Sequence, residues 1–247
     1  VAGAVKRCLE THRYERGGVA GLAIEPGSPL LSASAGAGMA VLLRELFPGD
    51  AALTELALRL ADFSLKGQHP SGLFYETFDT GRGAWHGVAG HPERPVIGIA
   101  TAARIADRLL AFADSLQDAG LPCRKYRLAG ERFVEFFFDD HGRFQVPGAL
   151  HVPGSREPLE PGLAGLEVCF PLARVMTRTG HDRHRKAMDA LAHALASLPW
   201  GTPWLPSTRE GDEPDAAGAL LCARVLLAML RPAGAARRGG ATTRSRP

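Results

Sequence analysis

The chain has 247 residues, of which 45% are hydrophobic and 22% are charged, a composition that predicts one or two folded domains with a sizeable core. Its formal net charge is +3, but five arginines and no acid follow position 230, so residues 1–230 carry −2. This balance excludes the basic surface that binding to a nucleic-acid backbone requires.

The C-terminal stretch, residues 231–247, consists of Gly, Ala, Arg, Ser, Thr and Pro alone. Without large apolar side chains it cannot bury enough surface to offset the entropy of becoming ordered, so we predict a disordered tail. Residues 1–230 are expected to form the folded domain. The first residues resemble an amphipathic helix already under way, without an initiator Met or a signal-peptide layout, which favours either a piece of a longer protein or a processed form.

The four cysteines, Cys8, Cys123, Cys169 and Cys222, are far apart and lack C-x-x-C spacing. We expect them to be small buried hydrophobes, a usage that suits a reducing compartment and predicts a cytoplasmic protein. The longest apolar runs, such as residues 220–230, contain a charge and are shorter than the roughly 20 residues of a membrane span. No membrane span is therefore expected.

Helical periodicity is clearest in three segments whose apolar residues recur at steps of three or four, with polar residues between them. These are Leu53, Leu56, Leu60 and Phe63; Tyr126, Ala129, Phe133 and Phe136; and Met188, Leu191, Leu195 and Leu198. They alternate with segments that have fewer charges and more small residues: 29–47, 95–116, 162–179 and 215–230. The alternation predicts antiparallel hairpins, each with one enclosed inner helix and one outer helix that faces water.

Each predicted outer helix is followed by a glycine and, two or three residues later, an aromatic residue. The glycines, Gly72, Gly142 and Gly201, are 70 and 59 residues apart. Glycine supplies the positive φ that ends a helix, and we expect the aromatic ring to fold back over the last helical turn.

The segment in which Gln68, Gly72 and Phe74 follow the first outer helix resembles the Q-x-x-x-G-x-W turn of α/α-toroid proteins. These include six-hairpin glycosidases, polysaccharide lyases, sugar epimerases and terpenoid cyclases. The second copy departs from the pattern, since Asp139 or Asp140 stands near the glutamine position. The resemblance implies an all-α fold of antiparallel helical hairpins.

A complete toroid of this kind has six hairpins, whereas the sequence contains about three and a half to four. Either the ring is incomplete or the chain is part of a longer one. A partial ring would expose apolar helix faces, which a homodimer or the remainder of a larger chain would cover.

In toroids, the connections from outer to inner helices gather at the end of the ring where the inner helices begin, which we call the cup. In this sequence they carry acids just before the inner helices, and the resemblance implies a pair of carboxylates acting as general acid and general base on a glycosidic bond. The candidates are Glu93, Glu160, Glu76, Asp79 and Glu157. A structural alternative is that an acid at a helix start only complements the helix dipole.

The connection at residues 75–95 is also rich in groups that bind sugars. Trp85 with Tyr75 would provide a flat apolar face for a sugar ring, and polar side chains would bind its hydroxyl groups. The further substrate-binding candidates are Arg82, His86, His91, His151 and Trp204. His86 and His91 lack the spacing of a metal site, so we expect no metal.

The function that these features predict is that of a carbohydrate-active domain, a glycoside hydrolase or a polysaccharide lyase, with a saccharide as substrate. No nucleotide-binding glycine loop is present, so no cofactor is expected. One alternative is a noncatalytic helical-repeat scaffold that binds a partner protein, in which the cup acids would not converge. A terpenoid cyclase is a further alternative, although its D-x-D-D signature is missing.

Overall fold

The computed structural model of the chain describes residues 1–88, 95–155, 157–160 and 162–197. Seven α-helices lie in this part: α1 (Ala2–His12), α2 (Ala33–Leu46), α3 (Ala51–Lys66), α4 (Ile99–Asp118), α5 (Arg124–Glu135), α6 (Cys169–Thr179) and α7 (Asp182–Ala196). A 3-10 helix, Leu163–Val168, leads into α6. None of these helices combines the length and apolar character needed to cross a bilayer.

The helices pair as predicted, in the hairpins α2–α3, α4–α5 and α6–α7. The inner helices pack side by side in the order α2, α4, α6, and each outer helix packs against its inner partner. With α1 beside α2, the described residues contain three hairpins and one further helix, in agreement with the predicted minimum of three and a half. The predicted helical segment at 215–230 and the predicted tail at 231–247 lie outside the described residues.

The prediction of a purely helical fold was wrong, because the described residues contain eight short strands in the connections that precede and join the hairpins. They are β1 (Arg13–Arg16), β2 (Val19–Leu22), β3 (Leu30–Ser32), β4 (Thr77–Asp79), β5 (Ala84–His86), β6 (Ile97–Gly98), β7 (Leu150–His151) and β8 (Pro158–Glu160). They form three antiparallel sheets, β1–β2, β3–β4–β5 and β6–β7–β8. Long connections satisfy their backbone donors and acceptors by pairing with one another.

The two three-stranded sheets repeat one arrangement. In each, the strand that leads into an inner helix pairs with a strand of the following connection: β3 before α2 pairs with β4, and β6 before α4 pairs with β7. These sheets therefore join successive connections at the end where the inner helices begin.

The Gly-x-aromatic turns have matching hydrogen bonds. Gly72 donates to the carbonyl of His69 at 2.8 Å, and Gly142 donates to that of Asp139 at 2.9 Å. Both glycines have positive φ, +105° and +73°, but the helix before Gly72 already ends at Lys66, so the glycine shapes the turn rather than ending the helix.

The register of the two turns differs from the predicted one. Bridges pair Gln68 with Phe74 and Phe138 with Phe144, so Phe138, and neither of the two following aspartates, occupies the glutamine position. The third predicted turn, at Gly201, lies outside the described residues.

Each turn contacts the outer helix of the next hairpin. The side-chain amide of Gln68 donates to the carbonyl of Gly72 at 2.9 Å and to that of Ala129 in α5 at 2.8 Å. The ring of Phe74, 1% exposed, lies 6.3 Å from the ring of Phe133. At the first turn the aromatic ring thus packs between neighbouring hairpins, a contact that the sequence did not predict. At the second turn the ring of Phe144 lies 6.4 Å from that of Phe137 and 5.3 Å from that of Phe138, which directly follow the end of its own helix α5, as expected.

The second turn makes an equivalent contact with different side chains. The ring of Phe138 lies 5.7 Å from that of His184 in α7, and the guanidinium of Arg183 lies 5.2 Å above the Phe138 ring. Both described turns therefore tie one hairpin to the next.

The close approach of the first turn to α5 gives a prediction for a pair of glycines. Both Gly72→Ala and Gly142→Ala introduce a side chain at positive φ, which costs about 1–2 kcal/mol. A Cβ at position 72 would also lie 2.5 Å from the carbonyl oxygen of Arg132, whereas one at position 142 would meet nothing within 4 Å. We expect the free energy of unfolding of Gly72→Ala, measured in urea, to fall by roughly a further 1–3 kcal/mol, since the overpacked turn must shift. Equal losses for the two variants would show that the turn does not need its contact with α5.

Candidate functional site

The inner helices begin at one end of the hairpin array. Ser32 caps α2, with its Oγ accepting a hydrogen bond from the backbone N–H of Ala35 at 3.0 Å, and Gly98 precedes α4. The 3-10 helix precedes α6 at the same end, beside α4. Together with the sheets, these helix starts form the cup that the sequence predicts.

Glu76 is bound to the first turn of α2. Its backbone carbonyl accepts a hydrogen bond from Ala33 at 2.8 Å, in continuation of the β3–β4 pairing. Its carboxylate accepts hydrogen bonds from the hydroxyl of Ser32 and from the backbone N–H of Ser34, the latter at 3.3 Å. The side chain therefore faces the positive end of the helix dipole.

Arg108 of α4 reaches the same turn of α2. Its Nη1 donates to the carbonyl oxygen of Ser34 at 2.6 Å and to the Oγ of Ser34 at 2.7 Å. Its guanidinium passes close to Gly38, where an added Cβ would lie 3.1 Å from the Arg108 Cζ. A glycine at this point of α2 thus leaves room for the arginine between the two inner helices.

Arg104 extends the cluster toward α6. Its Nε lies 3.3 Å from an oxygen of Glu167 in the 3-10 helix and donates to the carbonyl of Ala100 at 3.2 Å. The Glu167 side chain is 9% exposed and that of Arg104 is 42% exposed. We call the set Ser32, Ser34, Glu76, Arg104, Arg108 and Glu167 the cup cluster, because it joins the starts of all three inner helices.

The pKa of Glu76 is raised above its ordinary value of 4.5, because burial disfavours the charged carboxylate. The hydrogen bonds from Ser32 and Ser34 and the charges of Arg104 and Arg108 act in the opposite direction but do not outweigh burial. A carboxyl group in this situation keeps its proton at a higher pH than a free one, which is the property that a general acid needs.

The other acids predicted in the same connection have different surroundings. Asp79 accepts hydrogen bonds from the backbone of Gly81 at 2.8 Å and of Arg82 at 3.2 Å, so it closes the β4–β5 turn. Its second oxygen lies 3.7 Å from Arg82 Nε and 4.0 Å from His86 Nε2. The structure therefore brings Asp79, Arg82 and His86 together at the β4–β5 turn. The turn begins three residues after Glu76.

The predicted acids of the following connection are placed only in part. Glu157 is exposed, and the backbone of Glu160 pairs with Leu150 in the β7–β8 ladder. Glu93, His91 and Trp204 lie outside the described residues.

Two predicted substrate-binding rings, those of Tyr75 and Trp85, pack against other rings. Tyr75 lies 6.1 Å from His69, and burial raises the pKa of its hydroxyl. Trp85 lies 5.1 Å from Phe63 and 5.2 Å from Phe78, so the expected shared face of Tyr75 and Trp85 is not among the described ring contacts.

His151 is 1% exposed and lies below the cup surface, beside Phe136 and Phe137. Its Nε2 accepts a hydrogen bond from the backbone N–H of Gly148 at 3.3 Å. Burial lowers its pKa, while a backbone hydrogen bond to Ser155 acts in the opposite direction. The imidazole therefore supports the connection from within, and a ligand could not reach it in this conformation.

Sequence reasoning missed most of the cup cluster, because it searched the connections and not the inner helices. Arg104 and Arg108 are one helical turn apart in α4, a helix whose apolar side chains are nearly all fully buried. Charged side chains are rarely enclosed unless they are paired. Two arginines in such a helix therefore indicate polar partners at its surface, and this was the sequence signal for the cluster. Within the described residues, no group of three His, Cys, Asp or Glu side chains could hold a metal ion.

Comparison with known proteins gives likenesses only at the level of structure. No family model matches the chain, and neither does any curated protein. The chain is similar to the Lin0763 protein from Listeria innocua, with a TM-score of 0.59 and 13% identity over 92% of this chain and 63% of that one.

Two further similar structures have names that state an enzyme class. They are a polysaccharide lyase designated BACCELL_00875, with a TM-score of 0.53 and 11% identity over 80% of this chain and 60% of that one, and a glycosyl hydrolase family 88 protein from Bacteroides vulgatus, with a TM-score of 0.52 and 11% identity over 80% and 61%.

These likenesses fit an α/α-toroid-like fold. At 11–13% identity they show the fold alone. The chain spans about three fifths of the length of these three structures. The fold prediction is therefore supported in its coarse form, as an array of toroid-like helical hairpins with small sheets.

The raised pKa of Glu76 predicts how the stability of the protein depends on pH. A carboxyl group whose folded-state pKa exceeds its unfolded-state value contributes stability below the unfolded-state pKa and loses it as pH rises through the folded-state pKa. Glu76→Gln removes this loss. We therefore expect the free energy of unfolding of Glu76→Gln, relative to wild type, to rise as pH increases from below 4.5 and then to level off.

Urea unfolding at a series of pH values measures this difference. Glu157→Gln is the control, because its exposed side chain should change stability little at any pH. A difference between Glu76→Gln and wild type that stays constant with pH would show that burial does not perturb Glu76.

Proposed function

We propose that the chain is a carbohydrate-active enzyme domain, of the glycoside hydrolase or polysaccharide lyase kind, in which Glu76 transfers the proton. The observation that carries the proposal is the environment of Glu76: a partly buried carboxyl group with a raised pKa, at the start of an inner helix and close to two arginines. The similarity of fold to a polysaccharide lyase and a glycosyl hydrolase supports it. Because fold does not imply function, the site carries most of the argument.

In a hydrolytic reaction, protonated Glu76 would donate its proton to the glycosidic oxygen as the bond to the leaving sugar breaks. A second carboxylate would then act as nucleophile or activate water, at about 5–5.5 Å from the first for retention or about 6.5–9.5 Å for inversion. In a lyase reaction, a base would take the proton on the carbon next to a uronate carboxylate, and Arg104 would stabilise the negative charge that develops. The glycosidic carbon–oxygen bond would then break as Glu76 protonates the leaving oxygen, which leaves a carbon–carbon double bond in the sugar.

Glu167 is the candidate that we add for the second carboxylate. Arg104 contacts Glu167 directly and lowers the pKa of Glu76, so one guanidinium lies near both carboxyl groups. Glu93 and Glu160 remain the candidates from the connections, followed by Asp79 and Glu157. Tyr75, Arg82, His86, His91 and Trp204 remain proposed contacts to the saccharide.

The scaffold alternative has one observation in its favour. Leu42 and Leu46 of α2 are 38% and 37% exposed, four residues apart on one side of an inner helix. A partner protein or a further hairpin would cover such a face. That alternative predicts that the cup acids stay apart, whereas Glu76 and Glu167 share a neighbouring arginine. The charge of the same cluster disfavours the largely apolar pocket of a terpenoid cyclase.

Replacing the proposed acid tests the function. Glu76→Gln should reduce turnover by about 10²–10⁴-fold, because the proton donor is lost, while the melting temperature stays close to that of wild type. Polygalacturonate and carboxymethylcellulose are suitable first substrates. Release of reducing ends reports cleavage, and ultraviolet absorbance of an unsaturated product distinguishes a lyase from a hydrolase.

Glu10→Gln, at an exposed position of α1, is the control. The variants that search for the second carboxylate are Glu93→Gln, Glu160→Gln, Glu167→Gln, Asp79→Asn and Glu157→Gln. Full activity of Glu76→Gln would remove Glu76 from the mechanism. If activity disappears only together with the folded state, the acid serves the structure alone.

Arg108 is a positioning residue in this proposal, because it holds Ser34, which in turn donates to Glu76. Its charge also lowers the pKa of Glu76, so Arg108→Gln should raise that pKa further. Since activity falls when a general acid loses its proton, the alkaline limb of the kcat/KM profile should move to higher pH. Arg108→Lys keeps a positive charge and should therefore move the limb less than Arg108→Gln does. Arg183→Gln, a remote surface control, should not move it. An unchanged limb in Arg108→Gln would contradict the assignment.

A further inference from the structure

A second candidate binding site lies on the side of the β3–β4–β5 sheet that faces the outer helix α3. There a cavity of about 200 Å³ separates α3 from the β1–β2 hairpin. Phe63, Phe78 and Trp85 form its aromatic floor, and Val19 of β2 forms part of the opposite wall. No residue of the cup cluster lines this cavity.

The repeat explains why a cavity exists here. The turns superpose with an offset of 70 residues, which makes Phe63 of α3 the counterpart of Phe133 of α5. Phe133 is covered by Phe74 from the preceding turn. Phe63 is preceded by the β1–β2 hairpin instead of such a turn, and its aromatic neighbours, Phe78 and Trp85 at 6.0 and 5.1 Å, come from the connection that follows α3. On the hairpin side it meets Gly21, where an added Cβ would lie 3.4 Å from the Phe63 ring. At the α5 junction, the ring of Phe74 fills the space between the helix and the preceding turn. At the α3 junction, the corresponding space is the cavity.

The floor of the cavity is rigid. The Trp85 indole lies against Gly67, where an added Cβ would be 2.9 Å from the indole Cζ3, and it is inclined by 34° to the ring of Phe63. Phe78 contacts both rings. Because these rings are held by one another, a ligand that stacks on them would lose little side-chain entropy at the site.

The rim is polar and suits hydroxyl groups. Asp62 is oriented by the hydroxyl of Tyr126 at 2.8 Å and by Lys125 at 2.5 Å, and Arg59 pairs with Glu15. Lys66 takes part in no ion pair among the described residues and leaves its ammonium group for a ligand. An aromatic floor below a ring of charged donors and acceptors is the arrangement that binds a sugar.

We propose that this cavity binds one sugar ring of a polysaccharide, at a subsite outside the cup, with Trp85 and Phe78 below the ring and Asp62 and Lys66 at its hydroxyl groups. The proposal rests on the carbohydrate function proposed above. It moves the predicted role of Trp85 from the catalytic end of the cup to the flank of α3, where the subsite would hold a long substrate and leave cleavage to the cup cluster.

Affinity electrophoresis in gels that contain polygalacturonate, carboxymethylcellulose or hydroxyethylcellulose tests the subsite. Val19→Phe fills the cavity with a ring, as Phe74 does at the next junction, and should weaken retardation in the gel that retards the wild type, leaving only the contribution of the cup. Trp85→Phe keeps an aromatic packing partner for Phe63 but removes the five-membered ring of the indole and with it part of the stacking area, and should raise the dissociation constant about tenfold. Lys66→Ala should weaken binding in the same gel.

The control variant is Leu128→Phe, which adds the same ring at an exposed position of α5 and should migrate like wild type. Glu76→Gln should also be retarded like wild type while losing turnover, so failure of the cup mechanism and failure of the subsite give different results. The proposal is overturned if no gel retards the wild type, or if Val19→Phe and Trp85→Phe are retarded like wild type. It is equally overturned if N-acetylphenylalaninamide, and no saccharide, changes a tryptophan fluorescence signal excited at about 295 nm that Trp85→Phe lacks, since the cavity would then hold a protein side chain.

Discussion

The enclosure of α4 is the constraint on which the rest of the structure depends. This helix packs against α2 on one side, α6 on the other and α5 behind, and its residues Ala102, Ala106 and Ala113 are fully buried. A helix with so little free surface is stable only among parallel inner neighbours. Because those neighbours all begin at the same end, the long connections gather there and pair in small sheets, and the cup follows from the packing of one helix.

The turns after the outer helices hold successive hairpins together. Gln68 satisfies a carbonyl of its own turn and a carbonyl of α5 with one amide group, and the second turn reaches α7 through an aromatic ring and a cation. Stability in such an array is shared between each repeat and its neighbours. Where the preceding turn is replaced by the β1–β2 hairpin, the junction is less completely filled, and the cavity beside Trp85 results.

The cup cluster shows how the same packing creates a candidate active site. Arg104 and Arg108 emerge from an enclosed helix and need partners, which the starts of α2 and α6 provide through Ser34 and Glu167. Glu76 is partly buried among these groups, and this loss of solvent outweighs the nearby positive charges in setting the direction of its pKa. The enclosure that stabilises the hairpins thereby produces a carboxyl group suited to proton transfer.

The sequence by itself determined the order of inner and outer helices, since periodicity reports how much of a helix surface is buried. It also determined the positive φ at Gly72 and Gly142, which is a local property of glycine. It did not predict the strands that precede α2 and α4, because isolated two- or three-residue strands have no detectable period.

Only the tertiary structure decided which polar groups meet. Glu76 contacts Ser32 across 44 residues, and Arg108 contacts Ser34 across 74. It also decided that Trp85 packs against α3 while Glu76 faces the start of α2, although both residues belong to one connection. The physical reason is that each of these side chains packs against a partner that is distant in the chain, Phe63 of α3 for Trp85 and Ser32 and Ser34 for Glu76, and no local sequence pattern encodes where such a partner lies.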